Sequence, residues 1–571
     1  MIRTLPRILV LILATTSLTL AQTRTHRPLS AKDLDDLTTV LMLEDTRRLD
    51  QAALTQALTS AHPEVRRRAV VAVGRIADPA GGALLTAARS DADPEVRASV
   101  AFSLGQIKDP ASVAWLSETL HAPQTPPAVA REAAIALGKI QIPESRAALS
   151  GYLIAAAATR QSAPVVREAL LSLGRFNGPQ DPAPIVKWIS SPDVEVRWRA
   201  AWALFRPRDP AALPHLITLS ADPSADVRFW AVRGLAPAPT TAGAFGAAAA
   251  AAPPEADRAR ATTRLRDALH DPDRRVRTEA LRALSQLADD QSFAAVLAAL
   301  DSDDSWLAIS AAEGLARYAS RAADATPKLL AATAPGRSLA LRITALTTLA
   351  SLAPQQGLEA AVALSRVDNP AARTAARQAL GRMGPDGNAR LNALVSEGVL
   401  PAAVTTRPAR VIAPPKSPAE YRRLVERWIV PDYEGKPKPR AIWDTPRGPI
   451  EIELYPGDAP MGVDYFVHMV ESGAIIGTEF TRVVPNFVAQ QRTIGNDGAL
   501  RDEVNRHGLT RGNLSWASAG LDTGSPGYTL GSTPQPHNEG NFTALGRVVA
   551  GMDAVDRLEL GDRVTAARMT R

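Results

Sequence analysis

HPEVRRRAVVAVGRIADP at residues 62–79 returns as DPEVRASVAFSLGQIKDP at 93–110, with Gly74 and Gly105 standing 31 residues apart. The pattern recurs as VVREALLSLGRF (165–176), VEVRWRAAWALF (194–205), ADVRFWAVRGLA (225–236), RRVRTEALRALSQLA (274–288) and ALRITALTTLASLA (340–353). Weaker copies lie at 129–140, 306–318 and 372–383. Each unit opens on an Asp/Pro turn and a Val-Arg pair, and its apolar residues fall at i, i+3, i+4 and i+7, which is the stripe of an amphipathic helix. A second helix follows, as in GGALLTAARS. A helical pair of this size cannot bury its apolar face alone, so neighbouring pairs must stack into one continuous core.

These units resemble HEAT repeats of the short kind, and about ten copies span 32–400. The resemblance implies that the recurring valine (Val65, Val96, Val166, Val196, Val227, Val276) packs inward. The arginine after it (Arg66, Arg97, Arg167, Arg197, Arg228, Arg277) then forms a ladder to an acid or carbonyl of the adjoining repeat. A phosphate- or carboxylate-binding stripe is the competing reading, but the repeat itself fixes where these arginines stand.

The composition agrees with stacked helices. Of 571 residues 46% are apolar and only 5% aromatic, with alanine dominant, which favours helix packing over sandwich cores. At roughly 150 residues per domain the length implies three or four units, one of them an extended array. There is no cysteine, which excludes disulfides, thiol nucleophiles and thiolate metal sites. The formal charge of +6 is spread over arginines at repeat positions, so neither a basic run nor a nucleic-acid partner is indicated. The eight histidines show no metal-ligand spacing, no lysine-bearing phosphate loop occurs, and no metal or other cofactor is expected.

MIRTLPRILVLILATTSLTLAQ places Arg3 and Arg7 before an apolar run, then Thr19-Leu20-Ala21 before Gln22. This is the pattern of a secretory signal peptide cleaved after Ala21. The apolar stretch is well short of the ~20 residues that span a bilayer. The expectation is an exported protein, periplasmic or secreted, with no stable membrane insertion after cleavage.

The remaining boundaries follow from breaks in periodicity. Repeats at 32–235 are interrupted at 236–260 by an Ala/Pro-rich insertion read as flexible, and resume over 261–400. Residues 401–439 read as a Pro-rich linker with a short helix, AEYRRLVERWI, capped by Ser417-Pro418 and expected to dock on the domain that follows. From 440 to 571 the period becomes two. AIWDTPRGPIEIELYP reads as a hairpin, MGVDYFVHMVESG as a helix with Val463, Phe466, Val467 and Val470 on one face, and GTEFTRVVPNFVAQQ as strand, turn and strand.

The stretches IEIELYPGDAP, FTRVVPNFVAQQ, RDEVNRHGLTRGNLSWASAG and FTALGRVVAGMDAVDRLELGDRV follow one another in the order found in cyclophilin-type peptidyl-prolyl cis–trans isomerases, which 440–571 resembles along nearly its whole length. The implied fold class is multidomain: an all-α HEAT-repeat solenoid followed by a small closed antiparallel β-barrel with capping helices. The resemblance implies that Arg482 is catalytic, although the usual preceding histidine is here Thr481. Phe487 and Val488 match the apolar floor of a proline pocket. Gln490 matches a glutamine bonding the substrate backbone, and Ala517 and Ser518 match the strand that pairs with the peptide.

The resemblance also marks departures. Gly527 stands where a second glutamine is usual, Thr529 at the pocket phenylalanine, His537 at a position often Trp or His, Asn538 at the pocket leucine and Phe542 at a position often His or Tyr. Losing the aromatic and the leucine removes apolar area worth about 2–4 kcal/mol of proline binding at roughly 25 cal/mol per Å². The expectation is therefore a site that is weak, altered in preference, or retained for binding only.

Two functions stay open. One is an exported isomerase assisting protein folding, with proline-containing client polypeptides as substrates and the repeats binding a client or an envelope partner. The other is a non-catalytic scaffold with a degenerate proline-peptide reader. A third reading, that Asp522-Thr523-Gly524-Ser525 is an aspartic protease turn, needs a second carboxylate sharing a proton with the first. Only one such turn occurs.

Overall fold

A computed structural model describes residues 27–159, 163–178, 180–236, 252–401, 413–491, 499–518 and 520–570. The expected signal peptide, residues 237–251 of the insertion and residues 402–412 of the linker lie outside the described residues. The helix Glu255–Ala268 begins inside the expected insertion, so that interruption ends earlier than its composition suggests. Among the described residues no helix is long and apolar enough to cross a membrane.

The repeats fold as paired helices. Pro63–Ile76 and Pro94–Ile107 each start on a proline, where no amide donor is needed, and are capped by the His62 and Asp93 side chains. All six recurring valines are buried. Successive Val-Arg helices pack directly on one another through Pro127–Ile140, Ala163–Leu173 and Val194–Phe205. Glycine permits this closeness: a Cβ at Gly74 would lie 2.6 Å from Ser103 Cα, and one at Gly138 2.7 Å from Ser172 Cα.

The arginine ladder is internal to the array. Arg66, Arg197 and Arg228 grip Asp91, Asp222 and Asp271 through paired bonds of 2.7–3.0 Å. Arg167 reaches Asp193, Arg277 reaches Asp304, and Arg97 bonds the Ala92 carbonyl. Five of the six guanidiniums are matched by turn aspartates of adjoining repeats and Arg97 by backbone carbonyls, as a structural ladder requires.

The C-terminal domain carries one eight-stranded antiparallel sheet: β1 (Arg440–Thr445), β2 (Gly448–Leu454), β3 (Phe480–Val484), β4 (Val488–Gln491), β5 (Asn513–Ala517), β6 (Ser525–Gly531), β7 (Ala544–Ala550) and β8 (Ala566–Thr570). Their spatial order is β3-β4-β6-β5-β7-β2-β1-β8. β1 and β2 form the expected hairpin around Pro446-Arg447, with Gly448 at φ 120°. The helix Pro460–Glu471 buries Val463, Phe466, Val467 and Val470 against the sheet, and Trp443, Phe466, Trp516 and Tyr528 fill the interior with mutually packed rings.

One expectation needs correcting. The barrel is not closed strand to strand: β3 and β8 are the two ends of an open, curled sheet. The gap is bridged by the segments before them, through Phe480 N to Asp562 O (2.8 Å), Gly477 N to Val564 O (2.7 Å) and Val564 N to Thr478 O (3.1 Å).

The linker helix also departs from expectation. Ser417 and Glu420 form a reciprocal capping box, and the helix Pro418–Leu424 continues through a π turn at Val425–Ile429. Tyr421, Leu424, Val425, Trp428 and Ile429 share one hydrophobic core with Leu37 and Leu41 of the first repeat and with Trp443 and Phe466 of the barrel. The helix is therefore a wedge between both domains instead of an attachment to the barrel alone.

Polar contacts continue this union along the array. Arg506 of the barrel pairs with Glu95 and Glu132, Arg175 with Glu539, and Asn369 with Glu479. At the centre of the interface Glu503 accepts from the Gly462 and Met461 amides at the start of the 460–471 helix. Burial pushes the Glu503 carboxyl up to about 7, and burial raises Asp502 beside it to about 6.

An acid whose folded pKa exceeds its unfolded one loses stabilisation as pH rises between the two. For Glu503 that window runs from the ordinary glutamate value of 4.5 to about 7. Folding stability is expected to fall by about 3 kcal/mol across it. Glu503→Gln removes the titration while keeping one of the two oxygens that accept the Met461 and Gly462 amides, so urea unfolding at pH 5 and pH 7 is expected to show a clearly smaller difference for the variant than for the parent chain.

Candidate functional site

The outer face of the barrel is defined by the inner one. Ala489, Leu514, Trp516, Tyr528 and Leu530 belong to the core and Val483 packs against it, so strand alternation sends Val488, Gln490, Ser515, Ala517 and Thr529 outward, and the register shift between Phe480 and Arg482 puts Arg482 on the same outer face. Register then aligns four of them across four neighbouring strands: Arg482 opposite Gln490, Gln490 opposite Thr529, and Thr529 opposite Ser515.

Arg482 is exposed and donates to Gln490 Oε1 at 3.4 Å, with its guanidinium 5.5 Å from the Phe487 ring centroid. Partial burial lowers its pKa, a shift that leaves an arginine charged at neutral pH. Phe487 stacks with His537, centroids 6.2 Å apart and planes inclined by 23°. Desolvation, with Arg206, Arg233 and Arg175 adding repulsion, pulls the His537 imidazole down to about 4, so it is neutral at pH 7. The structure thus brings together Arg482, Phe487, Gln490, Thr529 and His537, and Val488 lies buried on the same strand face between the Phe487 turn and Gln490.

Ala517 and Ser518 stand farther along β5. Ala517 pairs with Ser525 after a bulge, and Ser518 Oγ turns back on its own loop, to the Gly520 carbonyl and to Thr523 Oγ1 at 3.0 Å. In this arrangement the Ser518 hydroxyl is engaged within the loop, while the backbone of this strand end remains the part matched by the resemblance.

Two substitutions have visible consequences. Thr529 and Ser515 share a hydroxyl–hydroxyl bond of 2.7 Å, so the floor beyond Gln490 is polar where the resemblance implies an aromatic ring. Asn538 does not line an apolar pocket wall: it donates to Gln535 Oε1 at 2.9 Å, and Gln535 Nε2 donates to the Phe487 carbonyl at 3.2 Å. With Ser532 N on the same carbonyl, the loop after β6 fixes the backbone beneath Phe487.

Sequence reasoning missed how the repeats enter the site. Asn486, at φ 60°, sends Nδ2 to the Arg275 carbonyl (2.9 Å) and Glu279 Oε1 (2.8 Å), and Arg282 bonds the Pro485 carbonyl at 3.1 Å. The β3–β4 turn that carries Phe487 is therefore clamped to the helix Arg274–Leu287. The only available signal was an asparagine in a Pro-Asn turn, a residue type tolerant of positive φ. Asp522, first met as a possible protease aspartate, instead takes Arg47 Nε at 3.0 Å and the Asp502 amide at 2.8 Å, which ties its loop to the first repeat. No cluster of metal-ligating side chains occurs among the described residues.

The family model described as cyclophilin type peptidyl-prolyl cis-trans isomerase/CLD matches 442–571, and a HEAT repeat model matches 51–126, 82–163, 150–236 and 243–316. Peptidyl-prolyl cis-trans isomerase B of Bacillus subtilis (strain 168) is 35% identical over 128 residues, 21% of this chain and 90% of its own. A peptidyl-prolyl cis-trans isomerase of Helicobacter pylori (strain ATCC 700392 / 26695) is 35% identical over 130 residues, 21% of this chain and 78% of its own. A crystal structure of a Cryptosporidium parvum cyclophilin type isomerase aligns with 17% identity and a TM-score of 0.22, over 24% of this chain and 98% of that one. The chain carries a HEAT-repeat array and, through its C-terminal domain, belongs to the cyclophilin-type peptidyl-prolyl cis–trans isomerases.

Proposed function

We propose that this protein is an exported prolyl isomerase that assists folding, with the HEAT array serving as a frame for the catalytic barrel and as a receiving surface for extended client segments. The observation that carries the reading is the outward row on the barrel: a charged Arg482 between the Gln490 amide and the Phe487 ring. An X-Pro bond resists rotation because the nitrogen lone pair is delocalised, with a barrier of about 18–20 kcal/mol. A guanidinium donating to the prolyl nitrogen favours the twisted state in which that lone pair is localised. Gln490 is available to bond the peptide backbone, and Phe487 offers the apolar surface for the ring.

Export rests on the first 22 residues, and an envelope partner of the repeats follows from export; N-terminal sequencing of the mature protein is expected to begin at Gln22. The activity is tested on the full mature chain, because wedge helix, barrel and first repeat share one core. Acceleration of X-Pro exchange over the uncatalysed rate is the expected outcome. The Thr529–Ser515 hydroxyl pair favours a second reading, a proline-peptide reader without turnover. Saturable peptide binding at the uncatalysed exchange rate would select it.

A further inference from the structure

The proline pocket does not open onto bulk solvent on all sides. A cavity of about 420 Å³ begins at Phe487 and His537 and is walled across from them by Arg208, Trp230, Arg233 and Arg282 of the repeats. His537 also borders a second cavity of about 670 Å³, on which Arg206, Arg175 and Lys139 face. The two cavities meet at His537, so the barrel's outward row is bordered by the repeats on this side.

The charge on this side is unbalanced. Glu279 takes Arg282 at 3.0 Å and Asn486 at 2.8 Å on Oε1 and turns Oε2 toward Arg233 at 3.8 Å, and Glu539 is taken by Arg175; with Glu313 the only other carboxylate among the described residues lining the first cavity, three guanidiniums (Arg208, Arg233 and Arg282) face two carboxylates there. Arg208 stacks 4.8 Å from the Phe205 centroid and donates to the Ala236 carbonyl, and no carboxylate pairs with it among the described residues. Arg233 lies 5.5 Å from both the Phe205 and Trp230 rings, so the two guanidiniums share one aromatic platform and are held in place before any ligand arrives. Burial and mutual repulsion depress Arg208 to about 10, the direction expected of crowded cations awaiting an anion.

We infer that the repeats complete the substrate site, and that Arg208 and Arg233 select proline peptides bearing an aspartate or glutamate a few residues from the proline. The inference rests on the isomerase reading for its substrate class. A carboxylate reaching this platform would gain bidentate, partly desolvated hydrogen bonds. A lysine there would meet only like charge.

The test uses the full mature chain and matched peptides in which Glu, Gln or Lys is placed in turn at each of the three positions before and after the proline, with exchange followed by NMR. At one position or more, kcat/KM for Glu over Lys is expected to be about tenfold or greater at low salt, shrinking toward unity near 0.5 M salt as the charges are screened. Arg208→Gln with Arg233→Gln is expected to collapse that ratio to within about twofold, with thermal unfolding confirming that the double variant is folded. Titration of a fluorescent Glu peptide by anisotropy supplies a readout that needs no catalysis.

Equal rates for all three peptides at every position, with the neutral peptide turned over well, would overturn the selectivity and leave the isomerase reading standing. Tighter binding of the Glu peptide without any turnover would overturn the isomerase reading and leave the acidic preference standing. An unchanged Glu-to-Lys ratio in the folded double variant would also overturn the assignment to Arg208 and Arg233.

Discussion

Replacing Arg75 by alanine is expected to detach the barrel locally from the array at a cost of roughly 3–5 kcal/mol, the range for breaking a buried charge pair from one side. Arg75 is almost wholly buried at the end of the Pro63–Ile76 helix. Its Nη1 donates to Glu44 Oε1 at 2.6 Å, its Nε to the Val504 carbonyl at 2.7 Å, and its Nη2 to the Asp458 and Glu503 carbonyls at 2.6 and 3.2 Å. The first partner is in the first repeat and the other three are in the barrel, so one side chain closes the interface on both sides. Alanine leaves a buried carboxylate and three carbonyls without this donor, each costly in a low dielectric.

Hydrogen exchange over 499–518 reads the effect directly. A cost of roughly 3–5 kcal/mol corresponds to local opening faster by about 10²-fold to about 5 × 10³-fold. Arg75→Met in a Glu44→Gln background removes charge from both sides while keeping much of the volume, and is expected to recover a substantial part of the loss. If Arg75→Ala leaves exchange in 499–518 unchanged, the interface is not held there.

Much of this architecture is legible in the sequence because periodicity reports burial directly. The Val-Arg pairs predict both the inward valines and the ladder between repeats, since each position is dictated by a helix packing on its neighbour. The hairpin at 440–454 and the apolar face of the 460–471 helix are legible for the same reason. What periodicity cannot convey is contact between segments hundreds of residues apart. Arg75, Asn486 and Asp522 look like an ordinary repeat arginine, a turn residue and a loop acid until the fold brings them to Glu503, Glu279 and Arg47.

The same limit explains the wedge helix and the open sheet. Tyr421, Leu424 and Trp428 announce one apolar face, yet a face does not say how many partners it has. Strand alternation marks the hairpin at 440–454 and the two strands within 477–491, but not whether the first and last strands of the sheet pair. At the candidate site, motif position supplied Arg482, Phe487 and Gln490. The walls contributed by Arg208 and Arg233 carry no motif at all.

Arg482→Ala is expected to lower kcat/KM for a neutral proline peptide by about 10²- to 10³-fold, the effect of removing one preorganised donor aimed at charge that develops in the transition state. The guanidinium interacts only weakly with its surroundings at rest: its bond to Gln490 is long, and the Phe487 ring lies below it at cation–π distance. Its strength is therefore reserved for a lone pair that appears on the prolyl nitrogen as the bond twists, so the loss should fall mainly on kcat. Arg482→Lys keeps the charge but loses the planar fork, and a partial recovery of roughly tenfold would identify charge as one component and geometry as the rest. Since the side chain is exposed, thermal unfolding should move little, which separates a catalytic loss from a folding one. A variant as active as the parent chain would mean that rotation is promoted elsewhere on the face; the Thr529–Ser515 pair, which leaves the pocket floor polar, would then be the next place to remove a hydroxyl.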